Sequence, residues 1–213
     1  FDRLEVSGTL SLAGTLDVQI PAFADAAGYA PELGQGFGLL SAGKLQGKWN
    51  AAQGLFGYDD GATLLQVSGD GKTQRLDVVR RPVADQVALR AHTQADADRL
   101  GMFFNSSYFG EGLSYAGVGM TLTSNDFLTV DGQFTLSNSA QTVSLSNGGA
   151  AQATRWLIGG HKLNAFVGLN GPYRLDSDHD GDLAEEAINP RAAGFELSGL
   201  DIALALYLEK PSA

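Results

Sequence analysis

Apolar residues return at every second position in short runs along this chain, and glycine cuts the runs before they reach the length of a helix. Leu4, Val6, Leu10, Leu12, Leu16, Val18 and Ile20 mostly alternate with polar or small residues, punctuated by Gly8 and Gly14, and the triplet GTL occurs twice there. Period-two alternation makes strands with one apolar face, and glycine supplies the backbone conformations that tight turns demand. Phe37, Leu39 and Leu40 read as a further strand, and Leu45–Trp49 as another. Leu64, Leu65 and Val67 face Leu76, Val78 and Val79 across SGDGK, a hairpin turn of residues that tolerate positive φ. Leu128, Val130, Phe134, Leu136, Val143 and Leu145 form the clearest alternation, with turns expected at Asp131–Gly132 and Asn138–Ser139. The aromatic-rich stretch FFNSSYFGEGLSYAG also reads as strand and turn. The Gly-free stretch before it reads as a linker with one strand over Val87–Ala91.

The expected fold class is therefore all-β: an antiparallel β-sandwich or solenoid-like sheets, with Gly-rich turns and one acidic calcium loop. With 28 glycines and only 18% charged residues, the composition suits strands rather than a helical bundle. The expected organisation is an N-terminal β module over 1–84, a linker or short strand or helix over 85–98, and a C-terminal β module carrying the loop over 99–213.

Charge and composition close off several functions. A net charge of −10 and a pI near 4.6 oppose binding to nucleic acid or anionic membranes, which needs a basic face. The same charge suits cations. The absence of cysteine excludes disulfides and thiolate zinc sites. No apolar run is long enough for a membrane-spanning helix, so no membrane insertion is expected. The chain opens on FDRLEV, without methionine or signal sequence, and reads as a piece of something longer.

One stretch carries chemistry. DSDHDGDLAEE, from Asp176 to Glu186, places Asp176, Asp178, Asp180 and Gly181 at positions one, three, five and six of an EF-hand-type loop. Alternation matters because such a loop wraps the ion and turns every second side chain inward. Gly181 allows the sharp return. Asp182, at position seven, would offer its carbonyl. Position twelve departs from the pattern: it is Ala187, while Glu185 and Glu186 stand at ten and eleven. The loop is thus expected between two strands, with Glu185 or Glu186 closing a shell of hard oxygens around Ca²⁺. Without a cation these carboxylates would repel one another.

No catalytic constellation accompanies it. His92, His161 and His179 stand alone in the sequence, GLSYA breaks the nucleophile-elbow pattern, and GVG lacks the rest of a phosphate loop. No enzyme is expected. Phe103, Phe104, Tyr108, Phe109 and Tyr115 form the densest aromatic group. A flat exposed row there would suit sugar stacking, and a packed cluster would suit a core.

These patterns resemble a known kind of protein. DRLEVSGTLSLAGTLDVQIP…LGQGFGLLSAGKLQGKW, over about residues 1–80, is similar to the β-strand modules of giant secreted bacterial adhesin- and autotransporter-like surface proteins. The second half, FLTVDGQFTLS…NAFVGLNGPYRLDSDHDGDL…GFELSGLDIALALY, resembles repeat units of the same kind, in which an acidic loop recurs between strands. The resemblance implies Asp176, Asp178, Asp180 and Asp182 as ion ligands. It also implies a calcium-stabilised structural or adhesion module at the bacterial cell surface. Its partners would be calcium, neighbouring repeats or identical chains paired edge to edge, and surface glycans. The alternative is a carbohydrate-binding module or an appendage of a secreted glycan-active enzyme.

Overall fold

The structure is a computed structural model. It describes residues 3–19, 31–58, 63–80, 87–110, 112–125, 127–175, 177 and 186–209. The protein is all-β, with two short helices among the described residues, and it divides into two compact units. The first comprises Phe1–Val83 with Ala97–Phe109, and the second Ala84–Asp96 with Gly110–Ala213.

The first unit begins with two parallel strand pairs. Strands β1 (Leu4–Leu12) and β2 (Thr15–Asp17) form one rung. Strands β3 (Gly36–Gly47) and β4 (Ala51–Gln53) form the next. Both pairs are parallel: Leu4 faces Leu40 and Leu12 faces Gly47, then Thr15 faces Ala51 and Asp17 faces Gln53. The corners stack as well. Asn50 Oδ1 accepts from the Gly14 N–H at 2.8 Å, and the Asn50 N–H donates to the Gly14 carbonyl at 2.7 Å. Gly14 turns this corner at φ +82°, where a side chain would be strained.

Strands β5 (Phe56–Tyr58), β6 (Thr63–Gly69) and β7 (Thr73–Arg80) complete a sheet of order β1-β3-β7-β6-β5. The β6–β7 hairpin pairs Leu64 with Val79, Leu65 with Val78 and Val67 with Leu76. Helix α1 (Gln94–Phe104) adds Leu100 and Phe103 to this unit's core of Leu55, Leu64, Leu65 and Val78. The short helix α2 (Ser106–Phe109) follows. The helices correct the strand-and-turn expectation for FFNSSYF. Thr93 and Asp96 explain the start: the Asp96 N–H donates to Thr93 Oγ1 at 3.2 Å and Thr93 Oγ1 donates back to Asp96 Oδ2 at 2.7 Å, a reciprocal N-terminal cap. Ala97, Leu100 and Phe103 then bury one side.

The second unit is one antiparallel sheet of order β12-β11-β10-β9-β8. Its strands are β8 (Val87–Ala91), β9 (Ser114–Ser124), β10 (Leu128–Ser144), β11 (Ala150–Leu169) and β12 (Ala193–Glu209). Val118, Phe134, Leu136 and Leu163 are its most deeply buried apolar residues. The turns expected at Asp131–Gly132 and Asn138–Ser139 are absent, because β10 runs unbroken through both. Asp131 and Gly132 pair in regular register with Thr121 and Met120 of β9, and the extra residue of the register shift lies opposite them on β11, between Gly160 and Asn164. Asn138 is held within the sheet, its Oδ1 accepting from the Leu113 N–H at 2.8 Å.

Candidate functional site

Of the six proposed calcium ligands, Asp176, Asp178, Asp180, Asp182 and Glu185 lie outside the described residues, as does His179. The neck of their loop is described, and it is a two-stranded stem. The Leu175 N–H donates to the Ala187 carbonyl at 3.1 Å, the Asn189 N–H donates to the Tyr173 carbonyl at 2.8 Å, and Arg174 bridges Ile188 between them. Ser177 Oγ donates to Glu186 Oε2 across the stem at 2.7 Å, so the sixth ligand candidate already sits at the loop's closure. Asn189 Nδ2 fastens the stem below by donating to the carbonyls of Asn170 and Pro172 at 2.8 and 3.0 Å. Arg174 Nε pairs with Glu196 Oε1 of β12 at 2.9 Å. Among the described residues alone, no group of three or more carboxylates and histidines is placed to hold a metal ion.

The stem stands over a polar patch of the β8–β12 sheet. Cross-strand pairing puts Arg90, Thr121, Asp131 and Asn164 in one row, and Thr123, Thr129, Phe166 and Glu196 in the next. Partners opposite one another share a face, so this is one continuous surface. Tyr173 stacks on Phe166, with ring centroids 6.2 Å apart and planes 19° from parallel. Beside that stack lies a cleft of about 390 Å³, walled by the sheet on one side and by Pro172, Arg174 and Leu175 of the stem on the other.

At the back of the cleft is a buried ionisable cluster. His92 Nε2 lies 3.0 Å from Asp131 Oδ2 and 3.1 Å from Thr121 Oγ1, and the Thr121 hydroxyl also donates to Asp131 Oδ2. Both side chains of the pair are more than nine-tenths buried. Gly119 leaves room for the ring, since a Cβ there would meet His92 Nδ1 at 2.7 Å and Asp96 Oδ2 at 3.1 Å. Asp131 Oδ1 is buried and has no hydrogen-bond partner among the described residues. The cluster can orient its members and accept hydrogen bonds. Sequence spacing conceals this cluster: His92 and Asp131 are 39 residues apart.

Two other acids are tuned by geometry. The Lys162 backbone N–H, at 3.0 Å, and the His161 ring, at 2.7 Å, hold the Asp201 carboxyl below the ordinary aspartate range. They do so at a register shift between β11 and β12 where Lys162 has φ +54°. Asp70 is lowered in the same way by the backbone N–H groups of Lys72 and Thr73 and by the Thr73 hydroxyl, within the SGDGK turn. A carboxyl lowered in the folded state stabilises above its unfolded value, and the contribution fades as pH falls through the folded value. Replacing Asp201 with Asn is therefore expected to lower the urea midpoint at neutral pH. The gap to wild type should close as the pH drops below about 4. Urea melts between neutral pH and strong acid measure it, and a gap that stays constant would show that Asp201 is not the group responsible.

The aromatic group expected from the sequence is packed rather than displayed. Phe103 is buried, Phe103 and Phe104 meet at 66°, and Tyr108 and Phe109 meet at 78°. Tyr108 is further occupied by Gln74 Nε2, which donates to its hydroxyl at 2.6 Å, and by the Lys48 ammonium 5.4 Å from its ring centroid. These angles do not make a flat platform for sugars. No helix among the described residues is long and apolar enough to cross a membrane. No protein-family model matches the chain, and no curated protein or solved structure is significantly similar to it.

Proposed function

We propose that this chain is a calcium-stabilised structural module of a large extracellular bacterial surface protein, joined to its neighbours through open sheet edges. One observation carries the reading: each unit's sheet ends in a long strand with no further partner among the described residues. In the second unit this is β12, 17 residues long, where Phe195 is 79% exposed and Leu197, Leu204, Leu206 and Tyr207 are also exposed. In the first unit it is β1, the outer strand of a parallel rung, with Leu4 exposed. A long apolar edge is a template for another strand; a bulge at Gly199 interrupts β12, and the mostly apolar run after it, Ile202–Tyr207, is the part that offers that template. A rung that stacks in parallel on one side is built to accept a rung on the other.

The acidic loop supplies the second half of the reading. Its hydrogen-bonded stem fixes where the two ends of DSDHDGDLAEE begin, so an ion bound there would tie Tyr173–Leu175 to Ala187–Asn189. Calcium is millimolar outside cells and scarce within them, so the module would gain stability on export. Adhesion and fibre building are the roles such a module serves.

Sedimentation of the 213-residue chain in calcium over a wide concentration range tests the edges. Self-association that strengthens with concentration is expected. The pair Leu204→Lys and Leu206→Lys should weaken it about tenfold or more, because edge lysines oppose strand pairing. A chain that stays monomeric at every concentration sinks the proposal.

A further inference from the structure

We propose that the cleft between the β8–β10 face and the Pro172–Leu175 stem binds a neutral saccharide unit, either free or at the end of a glycan. This goes beyond the structural role and does not depend on it. The volume, about 390 Å³, falls within the range of small-molecule sites and accommodates one or two sugar rings.

The lining selects the ligand class. Arg90 and Arg174 bring donors, Asp131 brings acceptors, and Thr121, Thr123 and Thr129 bring hydroxyls that do both. A sugar also presents groups that donate and accept, so it can meet all three kinds. A simple anion would leave Asp131 facing like charge, and a simple cation would meet two guanidinium groups. The charges are also nearly balanced: Arg174 pairs with Glu196, and Asp131 is matched by Arg90 in its own cross-strand row. No strong field remains to favour a charged ligand.

The second observation is the state of Asp131. It is a buried carboxylate in the cleft wall, with one oxygen committed to His92 and Thr121 and the other unpartnered among the described residues. Buried acceptors are rarely left so, and a bound water, ion or ligand is among the partners that answer them. The imidazole and the Thr121 hydroxyl fix the carboxylate's orientation before any ligand arrives, which lowers the entropic cost of binding. The apolar remainder of the lining, Ala91, Pro172 and Leu175, suits the C–H face of a pyranose ring.

Saturation-transfer NMR on the 213-residue chain tests this with glucose, galactose, maltose and a long maltodextrin as probes. Glucuronate and inorganic phosphate serve as charged controls. At least one neutral sugar should give a transfer signal that the charged controls do not displace. Thr123→Trp, which fills the half-buried end of the cleft, should reduce that signal about tenfold or more. Thr123→Val, which removes only the hydroxyl, should reduce it severalfold and guards against a misfolded tryptophan variant. Signal from maltose alone assigns a free saccharide, and signal from the maltodextrin assigns a chain end. Absence of any neutral-sugar signal, equal signals in wild type and both variants, or binding of phosphate or glucuronate only would overturn the assignment.

Discussion

Replacing Asn105 with alanine is expected to cost the first unit about 3–5 kcal/mol, a large share of the stability of any domain. Asn105 is fully buried and stands in for a missing strand. Its Oδ1 accepts from the Val67 N–H at 2.8 Å, and its Nδ2 donates to the Leu65 carbonyl at 3.0 Å and to the Gly101 carbonyl at 2.9 Å. Among the described residues β5 pairs with β6 at Thr63 and Leu64, and the Leu65 N–H reaches the Leu55 carbonyl at 2.8 Å. The side chain therefore takes over where the ladder stops. Alanine would leave the Val67 N–H and the Leu65 carbonyl buried and unpaired, at about 1–3 kcal/mol each, and would open a void. Asn105→Leu should be nearly as costly, because filling the void does not restore the bonds. Urea denaturation measures both variants. A loss below about 1 kcal/mol in each would show that β6 does not need this surrogate.

The second large effect is expected at Asp131. Asp131→Ala should destabilise the second unit by about 3–5 kcal/mol, the usual result of removing one member of a buried pair. His92 Nε2 and the Thr121 hydroxyl would both lose Asp131 Oδ2 as a partner, at a place where the side chains of His92 and Asp131 are more than nine-tenths buried. The triple replacement Asp131→Ala, His92→Leu and Thr121→Val should recover much of that loss, since apolar residues of similar size carry no unpaired polar atoms. Thermal and urea melts of the single and triple variants decide it. Equal destabilisation in both would mean that packing, not polar pairing, dominates at this place.

How far the fold could be read from sequence varied with the kind of signal. The β6–β7 hairpin was legible because alternation and turn chemistry agree over consecutive residues, and Leu65 does face Val78. The all-β class was legible for the same reason. At Asp131–Gly132 local chemistry misled: the dipeptide favours a turn, but Asp131 is buried against His92 and Thr121 and the strand pairs with β9 without a break through both residues. At FFNSSYF the aromatic content suggested a strand, while the decisive signal was the Thr93–Asp96 cap ten residues upstream of Phe103. The parallel rung was only half visible. The repeated GTL marks two apolar runs, but the partner of Leu4 is Leu40, and nothing in local periodicity sets that register.

The candidate site divides in the same way. The acidic loop is contiguous, so its spacing could be read directly, and the stem at Tyr173–Leu175 and Ala187–Asn189 sits where a loop between strands requires it. The cleft is assembled from β8, β9, β10 and the stem, residues spread from Arg90 to Leu175. Arg90, Thr121 and Asp131 become neighbours only once the strands are paired, so no motif announced them.

The most direct test of the account is a thermal melt of the 213-residue chain in calcium, in EDTA, and in EDTA with excess magnesium. Calcium at about a hundred times its dissociation constant adds about 2.7 kcal/mol. For a chain of this length that corresponds to a rise in Tm of roughly 5–10 °C. The account predicts such a rise with calcium, little with magnesium, and none in the variant carrying Asp178→Asn and Asp180→Ala. A melt that is the same in all three solutions would contradict it, leaving DSDHDGDLAEE as a surface turn and the calcium-stabilised module without its ion.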